Sequence, residues 1–172
     1  ARYMEQLSRW THMSVSTIIY DSEVSPLTTE SLFSSVNGKS NVMLIVTTDG
    51  DNIFGSFHGE LPNSISRWKE ADPMHFVFTL QNPYGIPPTK FSPLKPECYP
   101  IWFYKSPTAI YCIQYFCHIS NNKQCFINTK EWSGKGFSEV YNDTTGKDGR
   151  VFTKTLYPSR FGIKRLVAVQ WK

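Results

Sequence analysis

Asn41-Val42-Met43-Leu44-Ile45-Val46-Thr47-Thr48-Asp49-Gly50-Asp51-Asn52-Ile53-Phe54-Gly55-Ser56-Phe57 is the stretch that decides the fold. Val42–Thr47 is an almost unbroken apolar run of strand length, which predicts a strand buried on both faces. Asp49-Gly50-Asp51-Asn52 then concentrates turn formers, and Ile53–Phe57 returns, so the pair reads as a β-hairpin. Gly55 falls between Phe54 and Phe57, where a side chain is expected to collide with a neighbour.

Working outward, Ser16–Tyr20 is rich in Thr and Ile and predicts another strand. Asp21-Ser22-Glu23 and Pro26 turn the chain. Thr28 or Thr29 then caps a short helix over Glu30–Val36, which Asn37-Gly38 ends. Ahead of this, Tyr3, Met4, Leu7 and Trp10 form one apolar stripe, so residues 1–12 read as an N-terminal helix before a domain over 13–172. The stripe has two open roles, the tail of an upstream coiled coil or a helix packed on the domain itself. The first role predicts that longer chains dimerise. The start, Ala1-Arg2-Tyr3, lacks an initiator Met, and the chain is expected to be a piece of a longer protein.

Downstream, Pro62–Trp68 reads as a loop or short helix, and His75–Leu80 as a strand. Residues 82–100 carry six prolines and predict a loop with one extended piece near Thr89–Phe91. Ile101–Lys105, Ala109–Tyr115 and Gln124–Ile127 alternate as strands, and Cys112–Cys117 reads as continuous strand. Trp132–Glu139 turns, Asn142–Gly149 is a loop tip, and Ile163–Trp171 closes the chain as a strand. Several short strands, few helices and no repeats predict a mainly β (α+β) fold. The expected architecture is a two-sheet antiparallel β-sandwich flanked by a few short helices.

Composition agrees. The 172 residues are 40% hydrophobic, 15% aromatic and 19% charged, which excludes a disordered tail and favours sheet. No run approaches the roughly 18 apolar residues of a membrane helix. The start also has no signal-peptide core. An intracellular protein is expected, cytoplasmic with the nucleus as an alternative, with its four cysteines reduced. Cys112, Cys117, His118 and Cys125 match no common zinc spacing and read as buried apolar thiols, so no metal and no cofactor are expected.

No catalytic motif emerges. The histidines at 12, 58, 75 and 118 lie on different elements, and His58 is expected to be exposed at a strand end. Cys117 and His118 are neighbours in a strand and so point to opposite faces. Ser133-Gly134-Lys135-Gly136 lacks the spacing of a phosphate loop, and Asp49–Asn52 lacks the ligand ladder of a calcium loop. Charge is uneven, however. Residues 1–122 hold eight Lys/Arg against ten Asp/Glu, and residues 123–172 hold ten against four. Lys147, Arg150, Lys154, Arg160, Lys164 and Arg165, interleaved with Phe152, Tyr157 and Phe161, form a candidate nucleic-acid-binding set.

Ile18-Ile19-Tyr20-Asp21-Ser22, Ser31-Leu32-Phe33, the strand–turn–strand ending Phe54-Gly55-Ser56-Phe57, Phe76–Leu80 and Lys164–Trp171 come in an order and spacing that resembles the TLDc domain of the oxidation-resistance proteins. The resemblance runs from Trp10 to Trp171. It implies a two-sheet sandwich with short helices and no catalysis. It also implies a stress-response interaction module that works through protein contacts, with the vacuolar proton-pumping ATPase as a partner. The loops at Asp21–Glu23 and Asn142–Gly149 are the candidate contact surfaces. Residues 111–149 and the proline-rich loop depart from the family pattern, which bears on the partner surface more than on the fold.

Overall fold

In a computed structural model, residues 3–95 and 100–172 are described; Cys98 lies outside them. The hairpin read from the sequence is the middle of the larger sheet. β2 (Val42–Thr48) and β3 (Ile53–His58) pair antiparallel with Ile45 opposite Gly55. In the turn, the Asn52 amide donates to Thr48 Oγ1, and the residue with positive φ (64°) is Asp51 rather than Gly50. A short polar side chain tolerates that left-handed conformation.

β4 (Phe76–Gln81) and β5 (Thr89–Phe91) extend the sheet on one side. β10 (Ile163–Trp171) and β1 (Ser16–Asp21) extend it on the other, giving the antiparallel order β1-β10-β2-β3-β4-β5. The last strand is thus hydrogen-bonded on both edges, to the first strand and to β2. A smaller sheet is a simple meander of β6 (Ile101–Phe103), β7 (Ala109–Ile113), β8 (Cys117–Ser120) and β9 (Phe126–Ile127).

One strand reading is overturned. Cys112–Cys117 is a hairpin, turning at Gln114–Phe116 with Tyr115 at φ 63° and the Phe116 amide bonded to Ile113 O. The run carries no Gly, Pro or Asn there, and a tyrosine takes the left-handed position, so composition does not announce the turn.

The sheets enclose one core. Leu44, Val46 and Phe54 from the larger sheet meet Phe103, Ile113, Ile119 and Ile127 from the smaller. Short helices after β9 supply rings between them: α4 (Phe137–Val140) gives Phe137 and α5 (Arg150–Thr153) gives Phe152, with Phe116 and Phe152 centroids 4.5 Å apart. α3 (Lys130–Ser133) precedes them on the surface. α2 (Thr29–Val36) closes one side: Thr28 Oγ1 accepts from the Ser31 amide at 3.1 Å, so Thr28 is the cap. Thr29 Oγ1 ties the helix to β7 by donating to Ala109 O at 3.0 Å. Gly38, at φ +76°, turns the chain away as the sequence implies.

α1 (Met4–Thr11) lies on the outer face of the larger sheet. Its stripe of Tyr3, Met4, Leu7 and Trp10 packs with Met43, Phe57, Phe78, Val169 and Trp171 in a second apolar cluster. A Cβ on Gly55 would stand 2.2 Å from Leu44 O and 2.6 Å from Phe78 Cζ. The glycine therefore makes room for the ring that in turn meets Trp10, centroids 5.7 Å apart. Among the described residues no helix is long and apolar enough to cross a membrane.

Candidate functional site

Alternation along the smaller sheet sends Ile101, Phe103, Tyr111, Ile113, Cys117, Ile119 and Ile127 inward. The residues left facing outward stand in one register: Trp102 opposite Cys112, Cys112 opposite His118, His118 opposite Phe126. Three strand spacings make this row about 14 Å wide. Trp68 is bridged to Trp102, with ring centroids 5.3 Å apart. Tyr104 sits edge-on to His118, its hydroxyl 3.1 Å from Nδ1. His118 stacks on Phe126 at 4.8 Å, and Phe126 is covered by Trp132 and Tyr157. Arg160 completes the row. Its guanidinium is 4.8 Å from the Phe126 centroid and 5.3 Å from that of Tyr157, while Nη1 donates to Gln124 O.

Between these rings lies a groove of about 440 Å³, lined by Trp68, Trp102, Tyr104, Tyr115 and Trp132 with Cys112 on its floor. Trp132 is 39% exposed at the groove's edge. Cys112 on the floor and His118 beside it in the row are both uncharged near pH 7. Burial, with Arg160 adding to it, pushes the His118 imidazole down to about 4. Burial pushes the Cys112 thiol up to about 11, against the Tyr104 hydroxyl that favours its thiolate. A neutral imidazole and a protonated thiol beneath aromatic walls suit stacking and apolar contact. They offer no activated nucleophile.

The six basic residues read from the sequence make different contacts. Arg160 joins the aromatic face. Lys147 lies over the Tyr84 ring at 4.8 Å. Lys164 is paired with Asp51 at 2.5 Å, and Arg165 is held by Asp21 at 2.6 Å and Glu23 at 3.0 Å. The guanidinium hydrogen bond, with the Glu23 amide, holds the Asp21 carboxyl below its usual range. Arg150 and Lys154 are exposed, and among the described residues neither forms an ion pair. The Asn142–Gly149 tip is folded around Asp143, which accepts from the amides of Thr145 and Asp148.

The histidine expectation is corrected. His58 is not exposed at a strand end but fully buried, stacked on His75 at 4.9 Å, because it points into the sandwich at the end of β3. His75 Nδ1 faces Phe57 O at 2.9 Å, so it donates there, and a neutral ring then accepts from Tyr141 at Nε2, 2.8 Å away. His58 Nε2 meets Ser56 Oγ at 2.8 Å, while its Nδ1 is buried without a hydrogen-bond partner. Cys112, Cys117 and Cys125 are free and buried. Among the described residues no three His, Cys, Asp or Glu side chains converge as a metal site requires.

The ring row escaped the sequence reading. Period-two alternation over 101–105 does put Trp102 and Tyr104 on the face opposite Ile101 and Phe103, which is the signal that was there. Trp68 and Trp132 arrive from loops and α3, and no local pattern places them. No curated protein matches the chain. A family model for the TLDc domain matches residues 2–108, which hold α1, α2 and β1–β6. That span is more than half of the chain, and the chain therefore belongs to the TLDc domain family.

Proposed function

We propose that this chain is a non-enzymatic interaction module of an oxidation-resistance-type, stress-response protein that works through protein–protein contacts. The observation that carries the reading is the TLDc match over residues 2–108. The partner that family implies is the vacuolar proton-pumping ATPase. The Asp21–Glu23 corner, held by Arg165, and the Asn142–Gly149 tip, folded on Asp143, are preorganised loops suited to such a contact. Purified chain titrated against isolated proton-pump complexes tests this: saturable binding weakened by Glu23→Lys supports it, and no binding removes the pump as the partner.

A second reading has its own observation. Lys147, Arg150, Lys154 and Arg160 form no ion pair among the described residues, in contrast to Lys164 and Arg165. Cations left unpaired near the C-terminal third suit a nucleic acid, and such binding weakens steeply with salt. Loss of oligonucleotide binding in the Lys147/Arg150/Lys154/Arg160→Ala variant supports this reading; unchanged affinity rejects it.

A further inference from the structure

We propose that the outer face of the smaller sheet is a stacking platform for single-stranded nucleic acid, with two or three unpaired bases on the rings between Trp102 and Trp132 and a phosphate on Arg160. The proposal rests on the nucleic-acid reading above and gives it a place and a strand type. Three observations carry it. The rings around the groove are partly exposed and stand over a row about 14 Å wide, and aromatics on a sheet face can stack two or three bases. Cys112 and His118 are uncharged, so neither repels a polyanion. One cation stands on this face, where Arg160 lies on Phe126, and Arg67, Lys105 and Lys135 are sequence neighbours of the groove residues Trp68, Tyr104 and Ser133. None of these four forms an ion pair among the described residues. The acidic residues nearest in sequence to the same rings are Glu131, beside Trp132, and Glu70, two residues after Trp68.

A ligand that presents flat rings and negative charge together fits this face. A duplex does not, because its bases are already stacked on one another. A proline-rich peptide also lies on aromatic walls but gains nothing from Arg160.

The test uses the whole chain with fluorescein-labelled oligothymidylate, the same strand paired with oligoadenylate, and decaproline. Anisotropy and tryptophan fluorescence are read at about 50 and 200 mM salt, where phosphate contacts separate from stacking. The single strand is expected to bind at least tenfold tighter than the duplex and to quench tryptophan emission. Trp132→Ala is expected to weaken binding about tenfold at an unchanged salt slope, and Trp132→Phe to restore most of it. Arg160→Ala is expected to lower the slope of log affinity against log salt by about 0.7. Equal binding to duplex and single strand, untouched by Trp132→Ala but lost in Lys147/Arg150/Lys154→Ala, overturns the platform and leaves the basic-end reading standing. Binding of neither strand overturns both. Quenching by decaproline with none by oligothymidylate assigns the groove to a peptide and overturns the proposal.

Discussion

Each sheet turns one face away from the shared core, and the two faces are finished differently. On the larger sheet the outer residues are Met43, Phe57, Phe78, Val169 and Trp171, and α1 lies across them with Leu7 only 1% exposed. On the smaller sheet the outer row is Trp102, Cys112, His118 and Phe126, closed from the sides by Trp68, Trp132 and Tyr157 with a groove left between. Both faces are built from aromatic rings. The first buries them against the chain's own helix, so they contribute stability. The second leaves rings partly exposed around a groove, with the Arg160 guanidinium beside them. Aromatic content alone does not separate a core from a binding face; what covers it does.

The sharpest way to break this comparison is at Gly55. Gly55→Val is expected to destabilise by more than about 3 kcal/mol, because the new side chain meets both a backbone oxygen and the Phe78 ring. Denaturant unfolding measures it, and a loss under about 1 kcal/mol would mean that the larger sheet's outer face has slack.

Leu7→Ala follows, with an expected loss of about 3 kcal/mol if α1 seals that face. A near-neutral result would make the helix an appendage.

Acid probes the interior between the two faces. Burial pushes His75 down to about 4, against the Phe57 carbonyl that favours its proton; His58 is lowered too, by burial and then by its neighbour. Unfolded histidine takes up a proton near pH 6.5, so between about pH 6.5 and 4 the unfolded chain binds more protons than the native one. Stability is therefore level above that window and falls as pH drops through it, by up to about 3 kcal/mol from His75. Urea midpoints across the window read this out. A flat profile would show that water reaches the pair.

Trp132→Ala is the smallest effect, expected within about 1 kcal/mol for a partly exposed ring. A loss above about 2 kcal/mol would make the small-sheet face as structural as the other.

How much of this was legible depended on whether the signal was local. Val42–Thr47, Thr89–Phe91 and Ile163–Trp171 each carry their strand signal in their own residues, and they form strands there. The Cys112–Cys117 hairpin was not legible, because Tyr115 takes the turn position that Gly or Asn would have marked. The basic set was read as one cluster from proximity in sequence. Alternation along β10 sends Lys164 to Asp51 and Arg165 to Asp21, two partners far apart in the chain, while Arg160 lies beside the rings. His58 looked like the end of a strand and is the inside of the sandwich, where His75, itself bonded to Tyr141, stacks on it from another element.

By itself the sequence determined most of the strands, their antiparallel two-sheet grouping and the TLDc family, because periodicity, turn chemistry and motif order are properties of neighbouring residues. Only the tertiary structure decided which face each sheet presents to solvent. It brought Trp68, Trp102, Trp132 and Arg160 to one surface and spent Lys164 and Arg165 on ion pairs. Those outcomes depend on register between strands and on what the intervening loops carry back, and neither is written in any short window of residues.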